Sequence, residues 1–371
     1  MGTLLRTILT FGVSFVITGA VAQTSHDPAP GRTLVIGHRG SPAFGAENTL
    51  AGFRRAAEMD AQGVELDLVL TADRGLAVIH DFDLSRLAGE TQLDGLYPGR
   101  SVTTSEGERL WLTRGFTLEE LRVLRVIQRG PRSEESSSPQ TSHETLIPSY
   151  GEALALLAEI RKQHPGFILY TEIKSSAEHM TPEEIDLVAD LVAESLASAG
   201  ELKHPESHWL QSFDARVMDR LARDPRLDHF AKAQLLSCEP GLSSGASPVT
   251  LDTNAIRTES DLRAFLDHNV ASRGLSIVHG WKLMWFFLET DRGIDCAAVA
   301  HGLGLQIHAF TFRDDRFTSD YEKHPELAPK GSPFQSPEEE AAFFRTRGYD
   351  ALLSDSIDTA LPANTTRKGH E

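Results

Sequence analysis

The feature that most limits what this chain can become is a repeated alternation of short apolar runs with amphipathic segments. Apolar runs fall at Leu34–Gly37, Gly63–Leu70, Leu76–Asp81, Phe167–Lys174, His208–Phe213, Ala233–Ser237, Gly274–Val278, Leu305–Phe312 and Tyr349–Ser354. Each has strand length. Between most of them the apolar spacing is helical, as in Leu50–Met59, Tyr150–Lys162, Ala215–Ala222, Asp261–His268, Asp291–Leu303 and Ser336–Thr346. Thr49 is a plausible cap for the first helix, and Thr181 with Glu184 has the spacing of a capping box for a helix from Pro182. Such alternation predicts a parallel sheet, and about eight units predict an α/β fold of the (β/α)₈ TIM-barrel type. An open doubly wound sheet is the other arrangement. It would call for a Gly-rich loop after the first strand, and none is present.

Within that frame one strand stands out. In Gly63-Val64-Glu65-Leu66-Asp67-Leu68-Val69-Leu70 the period of two puts Glu65 and Asp67 on one face and Val64, Leu66 and Leu68 on the other. Two like charges in a buried strand are costly without a counter-charge, and a divalent cation is the simplest one. Other charged residues fall at comparable places: His38-Arg39 after the first run, His80-Asp81 at the end of Leu76–Asp81, and Glu172 with Lys174 on one face of Phe167–Lys174. In a barrel of this kind the C-terminal ends of the strands carry the active site. The set would supply three carboxylates for one metal, two imidazoles for proton transfer, and Arg and Lys for an anionic substrate.

Between about Phe82 and Thr145 the pattern loosens into Gly-rich and Pro-rich sequence, with a short helix after Thr117 and a Ser- and Glu-rich run from Pro131 to Glu144. We read residues 82–145 as an insertion after the second strand, in a barrel domain spanning 33–361. A polar tail, 362–371, contains the sequon Asn364-Thr365-Thr366. Residues 1–22 have the form of a signal peptide: Arg6, an apolar stretch from Ile8 to Ile17, and Ala20-Val21-Ala22 before Gln23. A periplasmic or secreted protein is therefore expected, with no stable membrane insertion once the signal is removed. The net charge is −17, which argues against nucleic acid as a partner. With only Cys238 and Cys296, there is either one bridge or two buried thiols, and no disulfide framework.

The motifs His38-Arg39-Gly40, Glu47-Asn48-Thr49, Glu65-Leu66-Asp67, Val78-Ile79-His80-Asp81 and Glu172-Ile173-Lys174 together resemble the glycerophosphodiester phosphodiesterase family. The resemblance extends through Gln211-Ser212-Phe213-Asp214, His308–Arg313 and Tyr349–Asp355, and the long insertion is similar to that of the larger, periplasmic members. It implies a (β/α)₈ barrel that hydrolyses glycerophosphodiesters, such as glycerophosphocholine, to sn-glycerol 3-phosphate and an alcohol. It further implies that Glu65, Asp67 and Glu172 ligate one divalent cation, Ca²⁺ or Mg²⁺, and that His38 and His80 are the general acid and base. Arg39 and Lys174 would hold the phosphate, and Glu47 would sit in the metal or glycerol shell. Departures from the family pattern are Ala46 where a Pro is usual before Glu47, Thr171 before Glu172, and Ser354-Asp355-Ser356 in place of Thr-Asp-x-Pro. Two other readings use the same residues. A phospholipase-type enzyme acting on lysolipid or sphingolipid would need an exposed apolar rim, for which Trp281–Leu288 is the candidate. A non-catalytic, metal-stabilised binding barrel would have lost a histidine or a ligand, and all are present.

Overall fold

The computed structural model describes residues 32–127, 146–176, 180–238 and 247–362. The signal-like segment 1–22, the Pro131–Glu144 run and the sequon at Asn364 lie outside the described residues. Eight parallel strands close into a barrel: β1 (Leu34–Gly37), β2 (Gly63–Leu70), β3 (Ile168–Ile173), β4 (His208–Ser212), β5 (Ala231–Ser237), β6 (Ile277–Trp281), β7 (Gln306–Phe312) and β8 (Ala351–Ser354). Each pairs with its neighbours in chain order, and β8 returns to β1 with Leu34 opposite Ala351.

Helices cover the outside. Pro182–Ser198, opened by the Thr181–Glu184 capping box, turns Ile185, Val188, Ala189, Val192 and Leu196 inward. These positions recur at three or four residues, so one stripe is apolar, and burying each large side chain contributes about 1.5–3 kcal/mol. Thr49 caps Leu50–Glu58 by accepting from the Gly52 amide. Val64, Leu66 and Leu68 of β2 pack into this outer layer. Inside the barrel Ile36, Ile168, Tyr170, Trp209, Ile277 and Leu353 form a separate core, which closes the lumen beneath the charged residues.

Three expectations are corrected. The run Leu76–Asp81 is not a barrel strand: Leu76–Val78 pairs antiparallel with β2, Val78 opposite Leu68. The intervening Thr71–Gly75 is a tight turn held by the Thr71 hydroxyl, which accepts from the Gly75 amide. Such a turn suits a hairpin, whereas a parallel return needs a crossover of a dozen residues or more. This third run is thus a return arm outside the eight-stranded ring, and it carries His80 back to the level of Asp67, whose carbonyl accepts from the Ile79 amide at 3.0 Å.

The stretch beginning at Phe82 is also not a loose loop. It contains helices Ser85–Ala88, Glu90–Leu96 and Leu118–Leu121, and a two-stranded ribbon of Val102–Thr103 with Arg109–Leu110. Leu84, Leu87, Leu93, Trp111, Phe116 and Leu121 are buried together in a core of its own, against Val69 and Ile79. Its apolar residues are spread singly through the sequence, which hides the element from any periodicity.

Finally, Trp281–Leu288 provides no exposed apolar rim. From Lys282 onward it is a helix, Lys282–Thr290, with Leu283, Met284, Trp285, Phe286, Phe287 and Leu288 all buried. The two cysteines are unbridged.

Candidate active site

In the middle of β2, Glu65 and Asp67 point into the barrel, and β3 brings Glu172 directly beside Asp67 in register. All three are buried, and one oxygen from each lies within 4.8 Å of the others. Backbone and side-chain donors hold them in place. The Arg39 amide donates to Glu65 Oε2 at 2.9 Å, Asn48 Nδ2 to Asp67 Oδ2 at 2.8 Å, and Lys174 Nζ to Glu172 Oε1 at 2.7 Å. Both loop residues that make the first two bonds, Arg39 and Asn48, have left-handed backbone with φ of 54°. Single residues in that region cost about 1–3 kcal/mol and persist where the surroundings over-determine them. Here the Asn48 amide donates to the Arg39 carbonyl at 2.9 Å and ties the two together. Gly40, also at positive φ, lets the loop lie against the first helix, because a Cβ there would come within 2.9 Å of the Gly52 carbonyl carbon.

The electrostatics of this cluster favour a cation. Burial, then Asp67 and Glu172, push the Glu65 carboxyl well above its usual range. Burial likewise raises Glu172. Burial alone would raise Asp67 too, but His80, Lys174 and Arg39 outweigh it and bring its carboxyl below the usual range. Asp67 Oδ1 is buried and accepts no hydrogen bond, with Lys174 Nζ 3.6 Å away. A compact all-oxygen donor set with a bare carboxylate oxygen fits a hard divalent ion.

Two imidazoles flank the carboxylates, each with a carboxylate on Nδ1. His38 donates from Nδ1 to Asp355 Oδ1 at 2.6 Å, and the other Asp355 oxygen accepts from Arg313 Nε at 2.6 Å. His80 donates from Nδ1 to Asp81, which also accepts from Arg86 Nε. A carboxylate on Nδ1 fixes the tautomer and leaves Nε2 as the nitrogen available for proton transfer. Burial, then Arg39, lower the pKa of both histidines, and for His80 the Lys174 ammonium adds to the effect. His38, His80, Arg39, Glu65 and Glu172 line one cavity of about 420 Å³. Its opposite wall is aromatic, formed by Phe213, Trp281 and Phe310.

The model of the glycerophosphoryl diester phosphodiesterase family matches residues 38–359, from the first of these histidines to beyond Asp355. The chain belongs to this family. A glycerophosphodiester phosphodiesterase of Caldanaerobacter subterraneus is 41% identical over 93 residues, 25% of this chain and 30% of that protein. The chain spans less than half the length of the curated relatives it matches. Among solved structures, a Silicibacter pomeroyi protein assigned to the same phosphodiesterases superposes with a TM-score of 0.62 at 21% identity, covering 90% of this chain and 93% of that one. A phosphodiesterase of Oleispira antarctica, solved with the product sn-glycerol 3-phosphate, superposes with a TM-score of 0.55 at 18% identity, covering 88% and 94%. At these identities the likeness is one of fold.

All eight residues singled out from the family pattern converge on this barrel mouth, though not all face the cavity. Lys174 is 2% exposed, with its ammonium on the triad side between Glu172 and Asp67. Glu47 stands beside Arg39, whose Nη1 it accepts at 3.3 Å, but both its oxygens are also taken by Arg86, at 2.6 and 2.8 Å. Sequence reasoning missed Arg86 and the Arg313–Asp355 pair. It also missed Gln211 and His279, which run from the triad into the barrel: Gln211 Nε2 is 3.4 Å from Glu65 Oε1, and His279 Nδ1 donates to Gln211 Oε1 at 2.8 Å. The Asp355 partner was within reach of sequence, since a barrel must bring its last strand beside its first. Phe312 and Trp285 are core, and His308 is packed inside the barrel against Tyr170 and Trp209.

Proposed function

We propose that this protein hydrolyses glycerophosphodiesters, such as glycerophosphocholine, to sn-glycerol 3-phosphate and an alcohol. The observation that carries the reading is the convergence of three buried carboxylates and two carboxylate-bound imidazoles at one barrel mouth. Family membership and the product bound in the Oleispira antarctica relative support the same chemistry.

Glu65, Asp67 and Glu172 would hold one divalent cation, Ca²⁺ or Mg²⁺, which supplies Lewis-acid stabilisation of the charge that gathers on the phosphoryl oxygens. Arg39 and Lys174 bring fixed positive charge to the same place, of the kind that is often the largest catalytic contribution. One imidazole Nε2 accepts the proton of the attacking oxygen, and the other donates a proton to the departing alkoxide. Attack by the neighbouring glycerol hydroxyl gives a cyclic phosphate that water then opens, and direct attack by water uses the same two nitrogens. Detection of the cyclic phosphate by ³¹P NMR during turnover separates the two routes. Glu47, with Arg86, orients Arg39.

The test is to incubate purified protein with glycerophosphocholine and glycerophosphoethanolamine, with EDTA and then with Ca²⁺ or Mg²⁺ restored, and to follow glycerol 3-phosphate. Release that requires the metal and disappears in His38→Ala supports the reading. No release from any glycerophosphodiester, or release unaffected by His38→Ala, overturns it. We propose that residues 1–22 act as a signal peptide directing the protein to the periplasm or outside the cell, and N-terminal sequencing of the recovered protein, beginning at Gln23, is the expected result.

A further inference from the structure

Arg86 belongs to the insertion, not to the barrel, yet its guanidinium bridges the partners of two site residues. Its Nη1 and Nη2 donate to the two oxygens of Glu47, at 2.8 and 2.6 Å, and its Nε donates to Asp81. Glu47 in turn accepts from Arg39, and Asp81 from His80. Arg39 follows β1, and His80 ends the return arm beside β2. One planar fork therefore spans two segments that share no covalent neighbour. We propose that Arg86 is a positioning residue that sets His80 and Arg39 against the carboxylates, which makes the insertion a working part of the active site. This rests on the phosphodiesterase reading above.

Several observations separate this from an ordinary surface ion pair. The Glu47 contact is bidentate, the geometry that a guanidinium forms best and a lysine cannot copy. Burial would raise the Glu47 carboxyl, but the hydrogen bonds from Arg86 and the charge of Arg39 outweigh it and bring it below its ordinary range. Without Arg86 that half-buried carboxylate would keep only the longer Arg39 contact. Asp81 would lose the donor that aims it at His80, leaving the imidazole free to change tautomer and to swing.

The placement of Arg86 is itself determined. Its short helix, Ser85–Ala88, buries Leu87 and Ala88, and Leu84 just before it is fully buried in the insertion's core. Asp83 accepts from the Trp111 amide at 2.7 Å and from the Ser85 hydroxyl at 3.0 Å, and the Leu84 amide donates to the Trp111 carbonyl at 3.0 Å. The packing of Trp111 is thereby linked, through Asp83 and one turn of helix, to the orientation of a guanidinium, and through it to His80.

The experiment compares the metal-supplemented parent with Arg86→Gln, Arg86→Lys, Asp81→Asn and the double variant Arg86→Gln/Asp81→Asn, using glycerophosphocholine as substrate. In Arg86→Gln kcat should fall about 10–100-fold, the range that small misplacements produce, and KM should change by less than kcat does. Arg86→Lys should recover part of the loss. The double variant should be no slower than the worse single one, because both changes cut the same chain to His80. Long-range ¹H–¹⁵N NMR of labelled histidine should show His80 protonated at Nδ1 in the parent and mixed between tautomers in Arg86→Gln.

Parental kcat with an unaltered His80 tautomer in Arg86→Gln overturns the proposal. So do fully additive losses in the double variant. If Arg86→Gln does not fold, Arg86→Lys carries the same readouts. A parent inactive on every glycerophosphodiester would end the phosphodiesterase reading, while the tautomer comparison would still decide whether Arg86 positions His80.

Discussion

The two imidazole–carboxylate pairs have the same chemistry and different foundations. His38 and Asp355 come from the ends of β1 and β8, adjacent strands of the closed ring, and Arg313 beyond β7 completes the set. His80, Asp81 and Arg86 come from the return arm and the insertion, which has its own core. Side-chain exposure follows the difference: 11% and 18% for His38 and Asp355, 30% and 24% for His80 and Asp81. A barrel strand end is fixed by the whole ring, whereas an inserted element is only as firm as the residues that clamp it. The first pair should therefore resist perturbation that the second does not.

The largest expected effect treats the pairs alike. Asp67→Asn, or chelation of the metal, should reduce turnover to near background, since the electrostatic stabilisation both imidazoles work beside is then lost. Metal restored to the chelated parent should return both activity and any thermal stabilisation, and a chelated parent at full rate would break the premise. Next, His38→Ala and His80→Ala should each lower kcat about 10²–10⁴-fold, the usual worth of a general acid or base, with KM changing far less. A fall in only one of the two would show that a single pair carries the proton transfers.

Third, Trp111→Ala should separate the pairs. Truncating a fully buried tryptophan costs about 3–5 kcal/mol, here concentrated in the insertion's core. Hydrogen exchange should speed up over residues 84–124 while β1 and β8 stay protected, and the His80 tautomer should loosen while that of His38 holds. Equal loosening of both would mean that the ring and the insertion are not independent supports.

The smallest effect is in pH dependence. Burial would raise the Asp355 carboxyl, but Arg313 and His38 outweigh it and lower it below the carboxylate range. A carboxyl depressed on folding gives stability that is present above its unfolded pKa of about 3.9 and is lost as pH falls below it. Asp355→Asn should therefore be less stable than the parent at neutral pH, and its stability should vary less between about pH 4 and pH 2, measured by urea titration at each pH.

Much of this was legible in the chain. The alternation of strands and helices, the capping box at Thr181 and Glu184, and the shared face of Glu65 and Asp67 all follow from spacing alone. What escaped sequence reading has physical causes. Asp355 meets His38 only because the ring closes, at a separation of 317 residues. The return arm reads as one more strand because apolar content does not encode direction, although the short Thr71–Gly75 linker did. The sixth strand was expected at Gly274–Val278 and lies at Ile277–Trp281. Gly274 is a left-handed turn residue, and His279-Gly280 breaks the apolar pattern. Gly280 is there for contact: a Cβ would lie 2.7 Å from the Trp285 ring. The insertion's core left no periodic trace because its members are set by tertiary packing.

The antiparallel sense of the short arm after β2 has a further consequence. Staves of a closed barrel cannot be added or lengthened without upsetting every neighbour, but whatever follows that arm hangs outside the hoop. The segment between His80 and the next helix is thus free to grow, shrink or be exchanged over evolutionary time. Because one of the two imidazoles is mounted at its root, each such exchange also retunes the candidate site.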